Sequence, residues 1–75
     1  MNPSASESGY GTIAEVTSHE IYVNAHNGHK YKFNVGACSR LEGTEPLPKI
    51  GQAFFYTGVP HGDDSYDLYK GTAAW

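Results

Sequence analysis

A single cysteine, Cys38, has no partner for an internal disulfide and fits a reducing compartment, so a cytoplasmic location is expected. Only Arg40 stands near it in sequence to activate a thiolate, so a buried, inert side chain is the expectation. No basic and apolar signal segment opens the chain. No apolar run approaches the roughly 18 residues of a membrane span, so a soluble product outside the usual export route, with no membrane partner, is expected. Cations are scarce too. Lys30, Lys32, Arg40, Lys49 and Lys70 face eight acids for a net charge of −3, which argues against a large phosphate-neutralising contribution to nucleic-acid affinity. Catalytic signatures are missing as well. Ser, His and Asp occur, yet no nucleophile lies in a recognisable turn motif, and 75 residues leave little core to shelter a substantial pocket. The chain is not expected to be an enzyme or to need a cofactor.

Metal chemistry is the nearest exception. His26 and His29 flank an Asn-Gly pair, and His61 precedes Asp63 and Asp64. A structural zinc site wants four convergent ligands, however, and the lone Cys38 lies beyond strand three from that tip. These histidines read as exposed turn residues, and no metal site is assigned.

What the sequence does contain points to strands. Nine Gly, four Pro, six Tyr and three Phe, against one Met, favour short strands and turns over helices, and the length allows one domain. Residues 1–9 are Ser-rich without apolar period and read as a disordered leader, leaving 10–75 as a single small barrel domain. Strand one opens at Tyr10, with Ile13 and Val16 three apart rather than alternating, which predicts a bulge.

Strands two and three are Glu20 to Ala25 and Lys30 to Val35, around His26-Asn27-Gly28-His29. Parity decides their loop, because a one-residue slip exchanges the faces of a strand. A two-residue Asn27-Gly28 turn would put Ile21 and Val23 on one face with Lys32 and Asn34. A three-residue loop of His26, Asn27 and Gly28, with Gly28 left-handed, instead pairs Ile21 with Phe33, Val23 with Tyr31 and Ala25 with His29. One face is then apolar throughout, and the other carries Glu20, Tyr22, Asn24, Lys30, Lys32 and Asn34.

Pro46 and Pro48 make residues 39–50 a connection, in which Cys38 to Glu42 could form one helical turn and Leu41, Leu47 and Ile50 anchor the core. Strand four runs from Gly51 to Thr57 with Phe54 and Tyr56 inward and Phe55 outward. Val59 to Ser65 is a turn. Strand five, Tyr66 to Lys70, puts Tyr66 and Leu68 in and Asp67 and Tyr69 out. Trp75 either covers an open barrel end or lies exposed, with packing favoured by its large burial term.

Five short strands with a long third connection predict an all-β, small antiparallel barrel of the OB type, with an SH3-like barrel as the alternative. Gly11-Thr12-Ile13, Tyr31-Lys32-Phe33-Asn34-Val35 and Gly51-Gln52 followed by Phe54 and Tyr56 give a spacing that resembles the cold-shock domain. That resemblance implies binding of single-stranded RNA or DNA by base stacking on strands two and three. Here the second-strand segment, Ser18 to Val23, lacks the family's glycines and keeps one aromatic, Tyr22. The expected nucleic-acid surface is Tyr22, Asn24, Lys30, Lys32 and Asn34: an aromatic for stacking, ammonium groups for phosphate and amides for base edges. The other expectation is an acidic protein-interaction module, an inhibitor or adaptor, offering Phe55, Tyr69 and the Asp63-Asp64 loop to a basic partner.

Overall fold

In a computed structural model the chain is described over residues 6–37, 39–43 and 47–74. The readings of Cys38, Pro46 and Trp75, and most of the leader, lie outside those residues. Among the described residues six strands form: β1 (Glu7–Val16), β2 (Glu20–Ala25), β3 (Lys30–Asn34), β4 (Arg40–Glu42), β5 (Ala53–Pro60) and β6 (Ser65–Ala74). The sheet order is β3-β2-β1-β5-β6-β4, and a further β3–β6 pairing closes it into a barrel. The all-β barrel expected from the sequence is therefore what forms.

The hairpin register is the one that side-chain parity demands. Ile21 pairs with Phe33 and Val23 with Tyr31, Ala25 N donates to His29 O at 2.7 Å, and Gly28 sits at φ 91°. Ile21, Val23 and Phe33 are fully buried, and with Ile13 and Phe54 they are the largest side chains wholly removed from water. Each such burial stabilises the fold by about 1.5–3 kcal/mol. The bulge predicted in β1 appears as a register shift between Ile13 and Glu15, which lets both Ile13 and the partly buried Val16 reach the core. On β5, Phe54 and Tyr56 point in and Phe55 out.

The strand ends and the closure differ from expectation. β1 starts at Glu7, inside the stretch read as a leader, because Glu7 to Thr12 find ladder partners on β5. The closing pairs β3–β6 and β4–β6 are parallel, whereas the others are antiparallel. A register shift at Thr57/Gly58 bends the β5–β6 ladder, so the first half of β6 meets β3 and the second half meets β4. Arg40 to Glu42 are a strand rather than a helical turn. A waiting edge at Lys70 to Thr72 supplies backbone partners, while an isolated turn must bear the cost of helix nucleation. Ile50 does not anchor the core: it is 70% exposed, turned outward where Gly51 takes φ 93°, and Pro48 is buried instead.

Candidate functional site

The polar face of the β2–β3 hairpin forms as expected, but its charges are already engaged. Tyr22 Oη donates to Glu20 Oε1 at 3.3 Å, and Lys32 Nζ lies 3.7 Å from Glu20 Oε2. The Lys30 ammonium sits 5.9 Å from the centroid of the Tyr22 ring, and Asn34 Nδ2 donates to Asp67 Oδ1 at 3.3 Å. Asn24 is exposed beside them. Partial burial, then the Glu20 and Glu15 carboxylates, raise the Tyr22 phenol above its ordinary pKa. The adjoining cleft of about 480 Å3 is lined by Glu15, Asp63 and Asp64 as well as Tyr22, Lys30 and Lys32. Three carboxylates against two ammonium groups give this cleft the wrong sign for a phosphate backbone.

The residues read as a protein-interaction surface are not gathered into one. Asp63 and Asp64 line the cleft with Lys30, whereas Phe55 lies beside Tyr10, their ring centroids 5.8 Å apart. Tyr69 is 58% exposed at the irregular point of the β5–β6 ladder.

The barrel end formed by the hairpin tip and the β5–β6 loop is more organised. His29 stacks on Tyr31 at 5.7 Å with the rings 3° from parallel, and His29 Nδ1 lies 3.8 Å from Asp64 Oδ1. Both members of the pair are held by the backbone. His29 N donates to Asn27 Oδ1 at 3.0 Å, Asn27 Nδ2 donates to Tyr31 Oη at 2.9 Å, and Lys32 N donates to Asp64 O at 2.9 Å. Asp64 itself is in the left-handed region at φ 51°, a conformation that short polar side chains tolerate. Beneath this pair, Tyr31 makes edge contacts with Phe33, Tyr56 and Tyr66. Tyr66 Oη donates to Glu7 Oε1 at 2.9 Å. Burial, then that hydrogen bond and the Glu7 charge, raise the Tyr66 phenol well above its ordinary pKa. Burial raises Tyr56 in the same sense, followed by Tyr31 and Glu7.

Sequence reasoning had named His29, Asp64 and Tyr31 without joining them. Pairing parity did place His29 opposite Ala25, on the inward side, but nothing in the sequence brings residue 64 to that tip. His26 leaves it on the other side, its ring stacked on Tyr10 at 4.8 Å. His61 Nδ1 lies 3.6 Å from Asp67 Oδ2, a separate pair. Among the described residues no group of three or more His, Cys, Asp or Glu side chains converges as a metal cage would require.

Neither a protein-family profile nor a curated relative matches the sequence. Solved structures do. A CusF variant from Escherichia coli with Cu(II) superposes with a TM-score of 0.77 at 15% identity, covering 100% of this chain and 98% of that one. A silver(I) form of CusF gives 0.72 at 14% identity, covering 92% and 97%. These barrels carry metal ions where the cold-shock reading expected neighbours that hold nucleic acid. Together with the self-neutralised hairpin face, this overturns the assignment of single-stranded RNA or DNA to Tyr22, Asn24, Lys30, Lys32 and Asn34. The alternative, a basic protein partner on Phe55, Tyr69, Asp63 and Asp64, is withdrawn with it: metal-binding neighbours do not support it, and Asp63 and Asp64 line a different cleft from the one at Phe55. At these identities the likeness shows the fold, and the chain has a small OB-like barrel similar to that of CusF.

Proposed function

We propose that this barrel is a non-enzymatic binding protein for a divalent ion of the copper class, held at the hairpin-tip end by His29 and Asp64. The observation that carries the reading is the His29 Nδ1–Asp64 Oδ1 separation of 3.8 Å between two side chains whose backbones are each fixed by hydrogen bonds. Cis ligands at metal–ligand bonds of about 2.0–2.2 Å lie roughly 3 Å apart, so a small side-chain rotation would bring both donors onto one ion.

The donor chemistry selects the oxidation state. Imidazole and carboxylate suit divalent first-row ions, with Cu(II) at the top of the affinity order, whereas Cu(I) and Ag(I) prefer thioether and thiolate. The described residues contain neither Met nor Cys. The residues at this end therefore fit Cu(II), which one of the similar barrels carries, and do not fit Ag(I), which the other carries. Two protein donors leave the rest of the coordination shell to solvent. The Tyr31 ring, stacked on His29, holds the imidazole in orientation.

Calorimetric and electron-paramagnetic titration with Cu(II) tests this. A Cys38→Ser background keeps the thiol from reducing the ion. One saturable site with nitrogen hyperfine coupling is expected. It should weaken in His29→Gln by more than the roughly 10-fold that loss of an outer-shell partner alone costs, because His29 is itself a ligand. His19→Gln, at the β1–β2 turn, should bind as the parent does. Equal Cu(II) affinity of His29→Gln and the parent would defeat the assignment.

A further inference from the structure

A second surface is built on the outer face of β1, β5 and β6, away from the His29–Asp64 pair. Pairing places Tyr10 beside Phe55 and Phe55 beside Thr72, with Ser8 beside Thr57 and Thr57 beside Lys70 in the next row. Three rings follow one another across it: His26 on Tyr10 at 4.8 Å, and Tyr10 against Phe55 at 5.8 Å. Tyr10 is 46% and Phe55 52% exposed, in a fold that buries Phe33 and Phe54 completely. Leaving two neighbouring aromatics in water forfeits burial energy, and contiguous exposure of this kind marks a binding surface.

The polar groups around the rings define the ligand. Ser8 Oγ and Thr57 Oγ1 share a hydrogen bond of 2.9 Å, and Thr72 adds a third hydroxyl. Lys70 Nζ is 3.8 Å from Glu42 Oε1, so the nearest cation comes with its own counter-charge. Hydroxyls that both donate and accept, with no unbalanced charge, suit a neutral partner rich in hydroxyls of its own. The open cleft at Tyr10 and Phe55 holds about 590 Å3 and adjoins, past Tyr10, a depression of about 170 Å3 whose lining includes His26 and Tyr56. We infer that this groove binds a neutral pyranose oligosaccharide, with the apolar C–H faces of successive sugar rings stacked on Phe55 and Tyr10 and their hydroxyl edges on Ser8, Thr57 and Thr72.

The test is an amide chemical-shift titration of the metal-free protein with cellohexaose, maltohexaose and chitohexaose. Working without metal separates this outcome from the copper reading. At least one sugar should give saturable shifts centred on Ser8 to Tyr10, Phe55 to Thr57 and Thr72. Phe55→Ala should weaken that binding about 10-fold, a loss of roughly 1.4 kcal/mol by the affinity relation. Because Phe55 is half exposed the variant retains its core, which its own spectrum verifies. Tyr22→Ala, in the other cleft, should leave affinity unchanged. The inference is overturned if none of the three sugars saturates, if Phe55→Ala binds as well as the parent, or if the same residues respond to a single-stranded oligonucleotide and to no sugar.

Discussion

Replacing Gly71 with Ala tests whether the barrel interior is as tightly filled as its geometry indicates. Gly71 is buried on β6 opposite Tyr56, and a Cβ there would run into the ring of Phe54. Phe54 is 0% exposed, so the ring can move only by displacing other core side chains. Since the backbone at Gly71 is not in the left-handed region, the cost comes from packing alone. Overpacking costs about 1–3 kcal/mol, and a clash with a rigid ring belongs near the top of that range. Against it stands a gain of about 0.5–1 kcal/mol from removing a glycine from a strand interior, leaving a net loss of about 2 kcal/mol. A 75-residue domain at ~0.05–0.15 kcal/mol per residue holds about 4–11 kcal/mol in all, so this is a large fraction. Urea unfolding should show a lower midpoint at constant m-value, and Tm should fall by about 8–16 °C. Combining Gly71→Ala with Phe54→Leu should recover about 1 kcal/mol relative to additivity, because the smaller side chain leaves room for the methyl. A Gly71→Ala protein within about 0.5 kcal/mol of the parent, or strict additivity of the pair, would refute the packing argument.

Gly28 offers the complementary case. Its added Cβ would meet nothing within 4 Å, so Gly28→Ala should cost only the left-handed backbone penalty of about 1–2 kcal/mol, and Gly28→Asn less, as read by thermal unfolding. Tyr66 is expected to contribute to the loss of stability at alkaline pH. Its phenol is raised in the fold, so above the unfolded value of about 10 the native state keeps a proton that the unfolded chain releases. Stability should hold below about pH 10 and fall as pH rises beyond it, with a smaller slope in Tyr66→Phe. Identical slopes for the two proteins in urea titrations at rising pH would count against the Tyr66 assignment.

How much of this was legible beforehand follows from the range of each interaction. Alternation and the Asn27-Gly28 pair were enough for the hairpin register, because parity is local and a slip would have put Ile21 and Val23 in water. The inward placement of Phe54 and Tyr56 and the β1 bulge followed from the same rule. Where the partner lay far along the chain, the rule had nothing to act on. β4 exists because β6 offers an edge at Lys70 to Thr72, and β1 extends to Glu7 because β5 pairs with it. Neither partner can be inferred from composition near residue 40 or residue 7.

The same division separates the surfaces. From the sequence, Tyr22, Lys30 and Lys32 were correctly placed together on one solvent face, but their charge balance was set by Glu15, from β1, and by Asp63 and Asp64, from the β5–β6 loop. His29 and Asp64 are 35 residues apart in number and meet because the parallel β3–β6 closure brings the β5–β6 loop to the hairpin tip. The row of His26, Tyr10 and Phe55 likewise draws one ring from each of three segments. The amino-acid sequence by itself determined the central strands, the hairpin register and which of their side chains turn inward, because these depend on neighbours two to about a dozen residues away. Only the closed barrel decided which polar and aromatic groups share a surface, because closure alone brings distant strand ends within contact distance.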